Sequence, residues 1–243
     1  MVSDMSSLLY ADAVRINDAI SVIVPSVGDV IDNEDEYYDA VCTIIATPFE
    51  MMVQLADAKI DFTTITEFDL FRLMLPKLKV LDTGLVFQDF DFKDFEIGIR
   101  DGGKEAILVN QKTGITIDRA THSMITTTLR KILNLPKNDK VPGNEEAKRY
   151  MINRERKKQK RRMRKGKGRA SQLERYIISL VNTPEFPYDF RSVRDISIYQ
   201  FYESLKQVIH KVHYDKTMIG YYAGTVKIDN VPQNDRTWIQ LNN

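Results

Sequence analysis

Cysteine is almost missing from this chain: Cys42 stands alone among 243 residues. A single thiol excludes an internal disulfide and a multi-cysteine zinc site. Packing alone must hold the core, which suits a reducing cytoplasm. Long apolar runs are missing too. None approaches 18 residues, so no helix is expected to span a membrane. The opening MVSDMSSLLYADAVR lacks the basic region and apolar stretch of a secretory signal. Against these absences, 43% apolar and 28% charged residues describe an ordinary globular composition with material for a core. The length allows one large or two small domains.

Catalytic signatures are also scarce. Gly98-Ile-Arg-Asp-Gly-Gly-Lys104-Glu105 matches most of a phosphate-binding loop. That motif needs Ser or Thr after the lysine and a helix behind it. Here Glu105 would repel phosphate and the following AILVN reads as strand, so a hairpin turn is expected. His210 and His213 stand at i, i+3 with Asp215 close behind, a spacing that could share a metal. Only His122 accompanies them, so they read as surface or boundary residues and no metal is expected. Asp89, Asp91, Asp94 and Glu96 alternate with Phe90, Phe92 and Phe95. Carboxylates so grouped could bind a cation or do acid–base work. One buried and one wet face explains the alternation more simply. Lys112-Thr113-Gly114 matches a β-lactamase element, but no Ser-x-x-Lys occurs anywhere in the chain. Cys42, inside the apolar VCTIIA, reads as a buried inert thiol. No nucleophile, base and orienter group together, so neither an enzyme nor a cofactor is expected.

Charge is what the sequence does have, and it is unevenly placed. The net charge of +1 hides a segment, 148–169, with 13 Lys or Arg and one acid, Glu155. Elsewhere 22 basic residues face 33 acidic ones, a net of −11. Blocks of like charge repel and often act as interaction segments. The block reads as a helix at its start. Asn144 offers a cap, and Glu145 and Glu146 suit the positive end of the helix dipole. Lys157, Arg161 and Lys165 repel one another at i, i+4, and Gly166 and Gly168 break the helix. Such a helix needs an anionic partner: nucleic acid, another protein, or the acidic body of its own chain. The cations expected to meet it are Arg154, Arg156, Lys157, Lys158, Lys160, Arg161, Arg162, Arg164 and Lys165. No aromatic lies between 154 and 169 to stack on bases.

The remaining elements follow from periodicity and punctuation. Residues 20–24 (ISVIV) read as a strand ending at Pro25. Helices start at Asn33 with Glu36, at Thr47-Pro48-Phe49-Glu50, and at Thr66 with Asp69, the last ending at Pro76. Three strands, Phe95–Arg100, Glu105–Asn110 and 115–118, are punctuated by Asp101-Gly102-Gly103 and Lys112-Thr113-Gly114, giving a small antiparallel meander. A helix follows with Met124, Ile125, Leu129, Ile132 and Leu133. Ser171 with Glu174 opens another, stopping near Thr183-Pro184. From Ser197 a longer helix carries Ile198, Phe201, Tyr202, Leu205, Val208, Ile209 and Val212 as one stripe. Residues 225–240 add a short strand. The expected fold is α+β and mainly helical: an α+β domain with a small sheet (1–136), a polar connector and basic helix (137–170), and a mostly helical domain (171–243).

Four stretches, ISVIVPSVGDVIDNEDEYYDAV, MMVQLADAKIDFTTITEFDLF, PGNEEAKRYMINRERKKQKRR and DISIYQFYESLKQVIHKVHYDK, touch most of the chain. Together they resemble a protein group of prophages and tailed phages of Gram-positive bacteria, encoded among tail-morphogenesis genes. The helical pieces also resemble tail-assembly chaperones, whose small acidic helical domains often open a helix like Ile198-Tyr199-Gln200-Phe201-Tyr202. The resemblance implies a protein that coats the long tape-measure protein and helps tube subunits polymerise. It carries over no catalytic residue. The chain is longer than such chaperones and adds a meander and a basic helix. These departures leave open a baseplate or other virion structural role. The expectation is a non-enzymatic tail-assembly protein acting by protein–protein contact or self-association, in the host cytoplasm during assembly or in the virion tail, without a membrane. The alternative is a nucleic-acid-binding protein using 148–169. Apolar anchors for a protein partner are expected among the exposed members of Tyr199, Phe201, Tyr202, Tyr221 and Tyr222.

Overall fold

The computed structural model describes residues 5–88, 90–100, 105–164 and 171–239. The fold is α+β and mainly helical. It opens with a 3-10 turn, Met5–Tyr10, and a hairpin of β1 (Ala13–Arg15) and β2 (Ser21–Ile23). Then come α1 (Val27–Asp32), α2 (Glu34–Ile44), α3 (Met52–Asp57), α4 (Glu67–Leu73) and α5 (Leu75–Leu78). The meander is β3 (Phe95–Arg100), β4 (Glu105–Asn110) and β5 (Thr116–Ile117), antiparallel in sequence order with Gly98 opposite Ile107. Helices α6 (Arg119–Ile132), α7 (Glu145–Arg164), α8 (Gln172–Val181) and α9 (Ile198–Tyr222) complete it.

Local chemistry sets most of these boundaries. Ser26 with Asp29, Thr66 with Asp69 and Ser197 with Gln200 close reciprocal capping boxes at α1, α4 and α9. Asp118 Oδ1 accepts the Thr121 N–H at 2.8 Å to start α6, and Asn144 Oδ1 accepts the Ala147 N–H at 2.7 Å to start α7. Gly114 (φ 73°) turns β4 into β5 in the left-handed region.

Four local expectations need correction. The Thr47 and Glu50 box forms in both directions, at 3.0 and 3.2 Å. It closes only a turn, however, and α3 begins at Met52. Asn33 does start α2, but its side chain points back to donate to the Asp29 carbonyl at 3.0 Å and caps nothing ahead. Pro76 does not end α4. The break comes at Met74, and the proline sits in the first turn of α5, where its missing N–H costs no bond. The tail, expected as a strand, folds as 3-10 turns at Ile228–Asn230 and Gln233–Arg236 among its described residues. Residues 101–104, 165–170 and 240, including Asp101, Gly102, Gly103, Lys104, Lys165, Gly166, Gly168 and Gln240, lie outside the described residues, as does Asp89.

One main core forms from distant parts of the sequence. Val22, Val30, Tyr37, Val41, Phe71, Phe92, Phe95, Leu108, Ile117, Ile125 and Leu129 join Leu173, Leu180, Ile198 and Phe201 in a single buried cluster. Residues 171–243, expected as a helical domain of their own, thus contribute to the core of 1–136. Backbone bonds stitch the junction: Val27 N–H donates to Ile196 O at 2.9 Å, and Ile198 N–H to Pro25 O at 2.8 Å. Gly28 lets this contact close, since a Cβ there would meet the Arg194 carbonyl at 3.2 Å. A smaller cluster of Met52, Val53, Leu55, Phe62 and Leu70 lies under α3 and α4.

Candidate interaction surfaces

The connector 136–142 is tied down and so fixes where α7 starts. Thr47 Oγ1 donates to Asn138 O at 2.6 Å, Arg130 Nη1 donates to Pro136 O at 2.9 Å, and Lys137 pairs with Glu67 at 2.5 Å. From there α7 lies against α3 by one stripe. Met151 and Ile152 pack on the smaller cluster. Lys148 Nζ bridges Asp61 at 2.7 Å and Glu145 at 2.5 Å, and Arg156 pairs with Asp57. The Lys148 hydrogen bond, with those from Thr63, holds the Asp61 carboxyl down at about 2. Lys148, Met151, Ile152, Glu155, Arg156 and Gln159 follow i, i+3, i+4, i+7, i+8, i+11 and, with Ala147, are the half-covered positions of the helix. This inner face carries Met151, Ile152, Glu155 and Gln159 beside two cations, Lys148 and Arg156, that are already paired with Asp61 and Asp57.

The outer face is what the sequence singled out. Arg154, Lys157, Lys158, Lys160, Arg161, Arg162 and Arg164 are exposed. Lys158 reaches Glu155 at 3.6 Å. Among the described residues, the other six stand in no ion pair. Residues 160–164 are exposed consecutively, which is more than a full turn, so every side of the helix here is open among the described residues. Of the cations expected to meet a partner, Arg156 is turned inward and Lys165 lies outside the described residues. Sequence reasoning missed the inner stripe. Its signal was the i, i+3, i+4 recurrence of Lys148, Met151 and Ile152, with Glu155 one step on, within the charge.

Tyr199 and Tyr202, expected as partner anchors, pack against the protein's own core, and Phe201 is fully buried. Tyr202 shares a 2.7 Å hydroxyl–hydroxyl hydrogen bond with Tyr38. Burial and this pairing raise the Tyr38 phenol far above its ordinary range. The α9 stripe is fully buried only at its start, at Ile198 and Phe201. Farther along, Ile209 and Ile219 are 61% and 69% exposed, and Tyr222 is 82% exposed. The tail folds back beside the middle of α9. Gln207 Nε2 donates to Trp238 O at 2.7 Å and His210 Nε2 donates to Thr237 O at 2.8 Å. Trp238 and Ile239 remain exposed next to it.

The other candidates resolve as structure. His210 is committed to Thr237, His213 is exposed, and Asp215 holds Lys211 at 2.7 Å. Among the described residues no group of His, Cys, Asp or Glu gathers as metal ligands. Phe92 and Phe95 are buried, while Asp91 and Asp94 point out to Lys93 and Lys112 at 3.1 and 2.8 Å. Cys42 corrects an expectation: it is exposed, because the buried stripe of α2 runs Tyr37, Ala40, Val41, Ile44 and leaves position 42 outside it. Nothing local in the sequence marks His122 as a core residue. It is 2% exposed and stacks on Phe71 at 4.2 Å between ring centroids. Its Nε2 lies 3.1 Å from the Ile44 carbonyl. A carbonyl can only accept, so Nε2 carries the proton. Burial pushes the imidazole down to about 4. It borders an open cleft of about 440 Å³ with Phe49, Phe62, Glu67 and Arg119.

A family model described as YomV second domain matches residues 158–241, about a third of the chain. The matched segment runs from the free turns of α7 through α8 and α9 into the tail. This phage-associated domain is consistent with a phage protein. No curated protein and no solved structure matches the chain.

Proposed function

We propose that this chain is a non-enzymatic phage tail-assembly protein that acts by protein–protein contact, as a tail-assembly chaperone or as a tail or baseplate component. The observation that carries the reading is the set of large apolar side chains left exposed on α9 and the tail beside it. Ile209, Ile219, Tyr222, Trp238 and Ile239 are each about half or more exposed, all inside the segment that matches a phage-associated domain. Large aromatic and aliphatic side chains of this kind are the anchors from which protein interfaces draw their affinity. The first half of α9 holds this surface rigidly, because Ile198 and Phe201 are locked in the core. The protein works in the host cytoplasm while tails are built.

The test is genetic and structural. In the phage that encodes the chain, deletion of the gene should abolish or shorten tails seen by electron microscopy. The full chain carrying Ile219→Asp and Tyr222→Asp should fold yet fail to restore them. Normal tails after deletion would overturn the proposal, and full rescue by the double variant would remove α9 from it. Mass spectrometry of purified particles separates the two forms. Stoichiometric presence makes the chain a structural component, and absence from particles makes it a chaperone.

A further inference from the structure

We propose that the outward face of α7 docks on the phosphate backbone of duplex DNA, without reading its sequence. The two faces of the helix carry the argument. Met151 and Ile152, the apolar side chains in its middle, are already packed on the protein's own smaller cluster. What remains outside is a run of cations with Asn153 among them, and with the exposed Tyr150 and Met163 near its two ends. A folded acidic protein would find no apolar anchor between them, and protein interfaces depend on such anchors. A polyanion needs none, because neutralised phosphates release their condensed counterions and that release drives binding.

Shape and the electrostatics of the body agree. Residues 160–164 are exposed consecutively around the helix, and a helix about 10–12 Å across fits a major groove about 12 Å wide. Arg154, Lys157, Lys160, Arg161, Arg162 and Arg164 stand in no ion pair among the described residues, so no internal carboxylate must be displaced. Residues 154–164 hold no aromatic, which removes the stacking platform that single strands require. The rest of the chain, at −11, repels DNA and confines the contact to this one helix. Lys157 with Arg161, and Lys160 with Arg164, repel each other at i, i+4 until phosphates lie between them.

Fluorescence anisotropy of a labelled duplex of roughly 20 base pairs, titrated with the full chain between about 50 and 200 mM salt, tests this. With about six phosphates contacted, the affinity should fall about 10³-fold over that range. Lys157→Gln, Arg161→Gln and Arg164→Gln together should lower the slope of log affinity against log salt by about 3. Lys77→Gln, Lys216→Gln and Lys227→Gln remove the same charge elsewhere and should leave the slope unchanged. Lys157→Arg, Arg161→Lys and Arg164→Lys together should retain it, which guards against a folding defect. No duplex binding at the lowest salt would overturn the proposal. So would equal loss in the Lys77, Lys216 and Lys227 variant, or tighter binding of poly-glutamate or of single-stranded DNA than of the duplex.

Discussion

Lowering the pH from about 7.5 to 4.5 should weaken the fold through His122. The ring is buried against Phe71, its Nε2 proton is held by the Ile44 carbonyl, and burial lowers its pKa from 6.5 to about 4. The folded pKa lies below the unfolded one. As the pH falls through about 6.5, the unfolded chain therefore takes up a proton that the folded chain refuses, and stability drops until about pH 4. At about 1.4 kcal/mol per unit, the loss reaches roughly 2.5 kcal/mol at pH 4.5 and about 3.5 kcal/mol in full. His122→Gln can keep a donor toward Ile44 but cannot titrate. Urea unfolding followed by circular dichroism at both pH values should show wild type losing about 2.5 kcal/mol more than the variant, a midpoint shift of about 1–2.5 M. Asp61 and Asp69, both lowered to about 2, hold their stabilisation above pH 4 and lose it only as the pH falls toward 2, in both proteins alike. Equal losses for wild type and variant would refute the neutral buried imidazole.

Three further outcomes follow from the packing. Tyr38→Phe and Tyr202→Phe should each cost about 1 kcal/mol, and a double-mutant cycle by urea unfolding should return a coupling of similar size, because one hydrogen bond joins them. Ser197→Ala removes the cap of α9 where it meets α1, and thermal unfolding should report a loss of about 1 kcal/mol. Ile152→Ala should undock α7 from α3 at a cost of about 1 kcal/mol, seen as faster amide hydrogen exchange over residues 145–156 with little change in α9.

Legibility in the sequence tracked how local the cause was. The β3–β4 hairpin was readable because Asp101-Gly102-Gly103 punctuates two strands that pair residue for residue from Phe95 with Asn110 to Arg100 with Glu105. The caps of α4, α7, α8 and α9 were readable because a Ser, Thr or Asn oxygen meets a backbone N–H three residues on. Cys42 was misread because VCTIIA looks uniformly apolar, whereas the 3.6-residue period of α2 turns only some of its positions inward. Pro76 was misread because a proline that would break a helix interior is equally at home in a first turn. The shared core was illegible, since Phe201 and Val30 belong to one cluster across a long stretch of chain that no local pattern spans. The same holds for the site. The charge of α7 was plain, but the division between its faces depends on α3, Asp57 and Asp61, far upstream. Tyr202 reads as an anchor because an aromatic on an amphipathic stripe looks the same whether it faces a partner or the protein's own Tyr38.

Lysine labelling read by mass spectrometry tests the two faces of α7 most directly. The Lys148 side chain is 13% exposed and held by two carboxylates, while Lys157 and Lys160 are open to solvent. In the free full-length chain, Lys157 and Lys160 should react at the rate of exposed lysines and Lys148 several-fold more slowly. Addition of duplex DNA should slow Lys157 and Lys160 and leave Lys216 and Lys227 as they were. Equal reactivity of Lys148 and Lys157, or protection of Lys157 and Lys160 in the free chain, would contradict a helix docked on one side and presented on the other.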